Sequence, residues 1–411
     1  MTATALQQEE HLPEAIVCKW CGKSFHYLKS HISMGRCENI PESAKGLDVD
    51  EVVKMYTSAF PDEPTISRTA LAKLNEKRAE KHSGEGKVAE ISAHPGYAGT
   101  VEYKTELVAA HELLGVTIKE LRTPRGKPLQ VTVNVNTPYP EFVPEAKKNY
   151  VYGDFDLIKD IFMMLEIGIP GYLWGHAGTG KSSLPTQLCA LLNRPLIRAQ
   201  HTASMEEAHV TGQILARDGS TYFEPGLLAL AMKNGWVYLA DEYDFAFPQI
   251  LGVYQPVLEG EPLIIKEATP DWRRITPHKR FAFIGTGNTN GSGDETGLYQ
   301  GTNIQNAANF SRFGIVSNVK YMSTKAEVNM LAEAGVIREY AEKMVKFANL
   351  VREGYEQHLI SQPIGPRELL LSAKIGMMRG DFSAGIEKSF INKLPSTSAQ
   401  AAREVVQKIF G

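Results

Sequence analysis

Gly175-His176-Ala177-Gly178-Thr179-Gly180-Lys181-Ser182 decides the fold. Tyr172-Leu173-Trp174, a short apolar run with strand character, leads into it, and a helix-forming segment, Leu184 to Leu192, leads out. The pattern is G-x-x-x-x-G-K-[ST] in its diagnostic setting, strand before and helix after. Glycines at those places let successive backbone N–H groups turn inward toward phosphate oxygens, at the positive end of the following helix. Gly175, His176, Ala177, Gly178, Thr179, Gly180 and Ser183 are therefore candidate nucleotide-binding positions. Lys181 is expected to reach the outer phosphates of ATP, and the Ser182 hydroxyl to ligate Mg²⁺. A plain Gly-rich turn before a core helix is the competing reading, and the flanking elements weigh against it.

Downstream, Trp236-Val237-Tyr238-Leu239-Ala240-Asp241-Glu242 is an apolar strand ending in adjacent acids, the Walker B arrangement. Asp241 would hold Mg²⁺ through water and Glu242 would polarise the water that attacks the γ-phosphate. An Asp at a helix N-cap is the alternative, and pairing with the lysine loop favours the catalytic reading. A further apolar strand, Phe281 to Ile284, ends in Gly285-Thr286-Gly287-Asn288, where an amide would orient water between the acids and the phosphate. Around these runs strands alternate with helices from about Pro138, the mark of a parallel sheet with helices on both sides. A helix over Asp156 to Glu166 precedes the loop, and Pro195 to Ala199 is the second strand. Ile214 to Phe223 reads as a hairpin about Asp218-Gly219, and Leu227 to Lys233 as a helix stopped at Asn234-Gly235.

The chain has 411 residues, more than one hydrophobic core usually serves, so two or three units are expected. Its 43% hydrophobic and 22% charged residues are ordinary for a globular protein, and a formal charge of -3 gives no overall pull toward nucleic acid or membrane. No apolar run reaches membrane-spanning length, and Met1 to Glu14 is polar and acidic where a signal peptide would be basic then apolar. A bacterial cytoplasmic location is expected. Four cysteines at Cys18, Cys21, Cys37 and Cys189 do not make a disulfide framework, and Cys189 reads as a small buried apolar residue.

The other three cysteines suggest metal. Cys18 and Cys21 form a C-x-x-C knuckle, followed by His31 and Cys37; two thiolates on a turn with an imidazole and a thiolate beyond would close a tetrahedral Zn²⁺ site. Phe25 and Leu28 supply the small core such a module needs. His26 competes for the histidine position. The run G-K-S-F-x-x-L-K-x-H from Gly22 resembles the bacterial Ros/MucR-type zinc finger, whose spacing implies His31, although Cys37 stands where that family has a histidine. The resemblance extends only over this module and admits nucleic acid as a partner of it.

The second resemblance is to the MoxR clade of AAA+ ATPases, and within it the ATPase subunit of aerobic cobaltochelatase, the CobS type. It is carried by the phosphate loop, by Leu239-Ala240-Asp241-Glu242-Tyr243-Asp244, and by Gly293-Asp294-Glu295-Thr296-Gly297-Leu298-Tyr299-Gln300-Gly301-Thr302 with Ser311-Arg312-Phe313 after it. It extends from about Tyr139 to Gly411. It implies an AAA+ α/β core with a small C-terminal helical lid, Asn288 as sensor 1, Arg312 as an arginine finger in the neighbouring subunit's site, and Arg367 as sensor 2. Arg273 and Arg274 also stand open for the finger. An arginine supplied in trans implies a ring, hexameric in this family. The resemblance further implies a partner carrying a von Willebrand A domain, of the CobT type, and a cobalt-chelating complex. No run looks like a tetrapyrrole pocket, and the zinc module departs from the chelatase subunit. Such ATPases also occur in bacteriophage genomes. A DNA-recruited motor using the finger, and a nucleotide-gated scaffold with little turnover, are the rival readings.

The expected organisation is a disordered leader at 1–14, a zinc-finger-like module at 15–40, a helical, charged and mixed linker at 41–137, the P-loop core at 138–320 and the lid at 321–411. A helix is expected over Gly46 to Ser58, a charged exposed helix over Leu71 to Lys87, and a strand over Leu129 to Val135. A second hairpin is expected over Pro262 to Pro277. Lid helices are expected over Ala326 to Ala334, Arg338 to Gly354, Arg367 to Met378 and Ala399 to Ile409.

Overall fold

The computed structural model describes residues 13–33, 36–45, 47–61, 63–70, 73, 101–217 and 219–411, and the chain divides into two compact units, residues 1–90 and 91–411. The leader as far as residue 12, the charged helix over 71–87 apart from residue 73, and Asp218 lie outside the described residues.

In the first unit, β1 (Ile16–Val17) pairs antiparallel with β2 (Ser24–Phe25), and α1 (Leu28–Ser33) follows. Next comes α2 (Val49–Ala59), which starts where Asp48 and Glu51 close a capping box. Ile16, Phe25, Leu28, Ile32, Val52 and Tyr56 bury their side chains together with Cys18 and Cys37. That core is small for a unit that must fold by apolar burial.

The second unit opens with an antiparallel pair, β3 (Thr105–Ala109) and β4 (Gln130–Asn134). Ala110, Leu121 and Val131 pack from this region into the core beneath the main sheet. Then α3 (Phe155–Ile167) is capped by Asp154, whose carboxylate accepts from the amides of Asp156 and Leu157. It leads to β5 (Gly171–Trp174), the phosphate loop and α4 (Ser183–Leu191). Beyond β6 (Leu196–Gln200), the strands β7 (Gly212–Arg217) and β8 (Ser220–Pro225) form the expected hairpin. The helix α5 (Leu227–Asn234) ends on Gly235 in the left-handed region and feeds β9 (Val237–Asp241).

The expected second hairpin is reduced. The strands β10 (Leu263–Ile264) and β11 (Arg274–Ile275) pair over two residues each, and a short helix that starts at Pro270, Pro270–Arg273, takes up the chain just before β11. Next come β12 (Ala282–Gly287), the one-turn helix α6 (Ala307–Phe310) and β13 (Ile315–Asn318).

Among the described residues, five strands form a parallel sheet in the order β13-β5-β12-β9-β6. Every residue of β9 and β12 is buried, which is why those runs read as continuously apolar. The carboxyl ends of β5, β9 and β12 therefore converge on one edge of the sheet, where parallel α/β folds hold ligands.

The C-terminal part is helical: α7 (Thr324–Glu333), α8 (Arg338–Glu356), α9 (Pro366–Arg379), α10 (Phe382–Ser389) and α11 (Ser396–Phe410), around a core of its own. The sequence reading had no helix at α10. Its Gly385 and serines hide the pattern, but Asp381 caps it through the Ala384 amide at 3.1 Å, and Gly385 lets it lie against the Ser372 carbonyl of α9.

Candidate active site

The phosphate loop wraps the end of β5 as the glycines require. Gly178 and Gly180 stand at φ +81° and +104°, a region in which L side chains are strained. Lys181 Nζ donates to the Gly175 carbonyl at 2.7 Å, the His176 carbonyl at 2.9 Å and Asn288 Oδ1 at 3.0 Å. Burial lowers its pKa to about 8, against the pull of Glu242, Asp244 and Asp241. A cation stripped of water and left with carbonyl partners is poised for an anion. Thr179 closes the loop by donating to the His176 carbonyl at 2.9 Å, and Ser183 lies 3.3 Å from the Tyr150 hydroxyl.

Asp241, at the end of β9, accepts from Ser182 Oγ, from Thr286 Oγ1 at 2.6 Å and from Arg198 Nε at 2.7 Å. Burial would raise its pKa, but these three donors outweigh it and hold the carboxyl below its usual range. Glu242 behaves oppositely: burial lifts its pKa, with Asp241 and Asp244 adding to the rise and Lys181 opposing it. Its carboxylate accepts from Asn288 Nδ2 at 2.9 Å, so one amide bridges Lys181 and Glu242. Adjacent acids thus have separate characters, one pinned as a carboxylate and one nearer to accepting a proton.

Lys181, Ser182, Asp241, Glu242, Asn288 and Arg367 all line one cavity of about 660 Å³. Arg367 reaches it from the first turn of α9, and the Cβ position of Gly178 lies 3.4 Å from the Arg367 Cβ. Met322, Met330, Tyr150 and Val151 add apolar surface to the cavity lining, beside Lys147, Lys148 and Asn149. Hydroxyl, carboxylate and amide oxygens around Ser182 and Asp241 are the hard donors Mg²⁺ takes.

Residues 172–302 match the family model of the AAA domain, dynein-related subfamily. Subunit CobS of the aerobic cobaltochelatase from Sinorhizobium sp. is 32% identical over 249 residues, spanning 58% of this chain and 74% of that protein. The chain belongs to the CobS family of AAA ATPases. An uncharacterized protein of Staphylococcus aureus strain NCTC 8325 is 23% identical over 265 residues, 62% of this chain and 96% of that one. Among solved structures, the Thermotoga maritima RuvB Holliday junction branch migration motor aligns with 14% identity and a TM-score of 0.38, over 64% of this chain and 72% of that one.

As a member of the CobS family the chain is an ATP-hydrolysing enzyme. No helix among the described residues is long and apolar enough to cross a membrane.

One expected residue of this CobS-family chain stands away from the others. Arg312 follows α6, where Nε donates to Glu259 Oε1 at 2.8 Å and the guanidinium also meets the Ala308 carbonyl. It does not line this cavity. Four residues that sequence reasoning passed over join the site. Arg198 and Thr286 hold Asp241; Asp244, wholly buried, accepts from the Asn288 and Thr289 amides at 2.8 and 2.9 Å and so aims Asn288. Tyr299 sets its hydroxyl 2.9 Å from His176 Nδ1 and accepts from the Ala177 amide at 3.1 Å. Asp244 and Tyr299 lie inside the runs that carry the family resemblance, so their position was a signal, but nothing local distinguished them from packing residues.

In the first unit, the ligand atoms of Cys18, Cys21, His31 and Cys37 lie within 4.8 Å of one another. Cys18 Sγ is 3.8 Å from Cys37 Sγ, and Cys21 Sγ is 3.3 Å from His31 Nε2. A tetrahedron with Zn–S bonds of about 2.3 Å has edges of about 3.8 Å, so the donor set fits zinc in kind and in size. His26 turns away, with Nδ1 at 3.0 Å from Ser67 Oγ and 3.1 Å from the Glu14 carbonyl.

Proposed function

We propose that the chain is a ring-forming, Mg²⁺-dependent ATPase that spends hydrolysis on remodelling a partner protein. The observation that carries the reading is the bonded series Lys181, Asn288, Glu242 in one cavity with Ser182 and Asp241, all at the sheet edge. Lys181 and the loop amides bind the phosphates of ATP. Ser182 and Asp241 would hold Mg²⁺, which when bound neutralises phosphate charge and orients the outer phosphates. Glu242, held by Asn288, takes the proton of the attacking water, and its burial-raised pKa suits that task. Arg367 reports the nucleotide to the lid.

Arg312, placed off its own cavity, acts on the neighbour's nucleotide, so two subunits complete each site and the assembly is a ring, taken as hexameric. Cys18, Cys21, His31 and Cys37 would hold Zn²⁺ in a structural module ahead of a linker, the core and the lid. The Sinorhizobium relative is a cobaltochelatase subunit, which supports a CobT-like partner with a von Willebrand A domain and a cytoplasmic setting.

The test uses the full chain. Lys181→Ala should abolish ATP binding, while Glu242→Gln should bind ATP, assemble and hydrolyse none. The Glu242→Gln assembly, loaded with ATP, should retain the partner in a pull-down. Hydrolysis surviving Glu242→Gln would overturn the assignment. Turnover stimulated by duplex DNA and lost steeply with salt would move the reading to a ring recruited through the zinc module.

A further inference from the structure

Tyr243 follows Glu242 in the chain but leaves the cavity and enters the core, where it is wholly buried. Its hydroxyl accepts a hydrogen bond from Asn309 Nδ2 at 2.7 Å. Asn309 is itself buried, and its amide oxygen has no partner among the described residues, so this bond is what fixes the side chain. Asn309 sits in α6, and its carbonyl accepts from the Arg312 amide at 3.3 Å. Phe313, just after Arg312, meets the Tyr243 ring edge-on at 5.5 Å between centroids. The turn that presents Arg312 is thus fastened, by one hydrogen bond and one ring contact, to the residue next to Glu242.

Glu242 is not at rest in that chain. It stands at φ 55°, ψ 40°, in the left-handed region, where a residue with a Cβ is strained. Its amide donates to Thr286 Oγ1 at 3.3 Å, and among the described residues its carboxylate accepts from Asn288 Nδ2 at 2.9 Å. A strained residue whose side chain lines the cavity is a place where occupancy of the cavity can change the backbone. Any such change turns the peptide that carries Tyr243.

We propose that Tyr243 is a positioning residue that links the state of Glu242 to the placement of Arg312 through Asn309. A subunit's own nucleotide would then set the arginine it presents to its neighbour. This rests on the reading of Arg312 as acting in trans.

Steady-state ATP turnover and the dissociation constant of a fluorescent ADP analogue would be measured on the full-length assembly. The variants are Tyr243→Phe, Arg312→Ala and the two combined. Tyr243→Phe keeps the ring and removes one hydroxyl, so kcat should fall roughly tenfold, the scale of one buried hydrogen bond left unmade, with KM and ADP affinity unchanged. In the Arg312→Ala background the same change should cost nothing further, because the residue it acts through is gone. Wild-type kcat in Tyr243→Phe, a matching loss of ADP affinity, or an equal further loss in the double variant would each overturn the link. Wild-type turnover in Arg312→Ala would instead remove the trans reading on which it stands.

Discussion

Arg198 and Asp241 form an ion pair inside the cavity at the phosphate loop, Arg198 Nε to Asp241 Oδ2 at 2.7 Å, on neighbouring parallel strands. The carboxylate is buried while the arginine side chain is 56% exposed, so solvent reaches the arginine and not the acid. If Asp241 holds Mg²⁺ as proposed, a cation at this carboxylate would compete with the metal for the same charge. Arg198→Ala should therefore lower the Mg²⁺ concentration that half-saturates nucleotide binding, by about three- to tenfold after screening of so exposed a charge. A Mg²⁺ titration of nucleotide fluorescence checks this, and an unchanged or higher midpoint would show that the pair does not oppose the metal.

The first unit should depend on its metal. With a core of a few side chains, its fold is expected to need the bonds that the proposed Zn²⁺ would make. Purified protein should carry one zinc per chain by elemental analysis. His31→Ala and Cys37→Ser should lose it, whereas His26→Ala, which breaks only the contacts to Ser67 and Glu14, should keep it. Zinc retained in His31→Ala and lost in His26→Ala would reverse the ligand assignment.

The fold and the cavity were largely legible because each signal was local. The Lys181 loop, the acids after β9 and the amide after β12 all fall at strand ends, and buried parallel strands show as apolar runs. What stayed hidden was pairing between distant segments. Arg198 lies on β6 with nothing in its neighbourhood to mark it, and only the sheet register, Gln200 beside Asp241, brings it to the acid. The bond from Asn309 to Tyr243 joins residues 66 apart, a relation no window along the chain contains. Likewise α10 was missed because tight packing against α9 selects glycine and serine, the residues that argue against a helix.

Two glycines give opposite expectations. A Cβ on Gly287, in the buried β12, would fall 1.9 Å from the Tyr172 hydroxyl and 2.9 Å from the Asp244 carboxylate. Tyr172 is fixed by donating to the Thr289 carbonyl at 3.0 Å, so neither neighbour yields cheaply. Gly287→Ala should destabilise by about 2–3 kcal/mol. Gly252 has helical dihedrals and open space around its Cβ position, so Gly252→Ala should be neutral or stabilise by about 0.5–1 kcal/mol. Chemical denaturation of the two variants beside the wild type reads both signs.

In the lid, Glu327 is fully buried and meets Arg352 in a two-pronged pair at 2.7 and 2.8 Å, while Arg352 Nε also donates to the Ile364 carbonyl at 3.0 Å. The same guanidinium lies 3.9 Å over the Tyr321 ring, which stacks in turn on His176 of the phosphate loop. Removing one member leaves a buried charge without its counter-ion, at a cost of about 3–5 kcal/mol, whereas replacing both with apolar residues removes charge and desolvation together. Glu327→Leu should therefore lower the lid's unfolding midpoint sharply, and Glu327→Leu combined with Arg352→Met should recover most of that loss. The recovery should stop short of nucleotide affinity, because Arg352→Met also strips the cation from Tyr321 and loosens the ring that steadies His176. Paired denaturation and ADP-binding measurements separate the two effects, and a double variant as unstable as Glu327→Leu would show that the pair is not what the lid depends on.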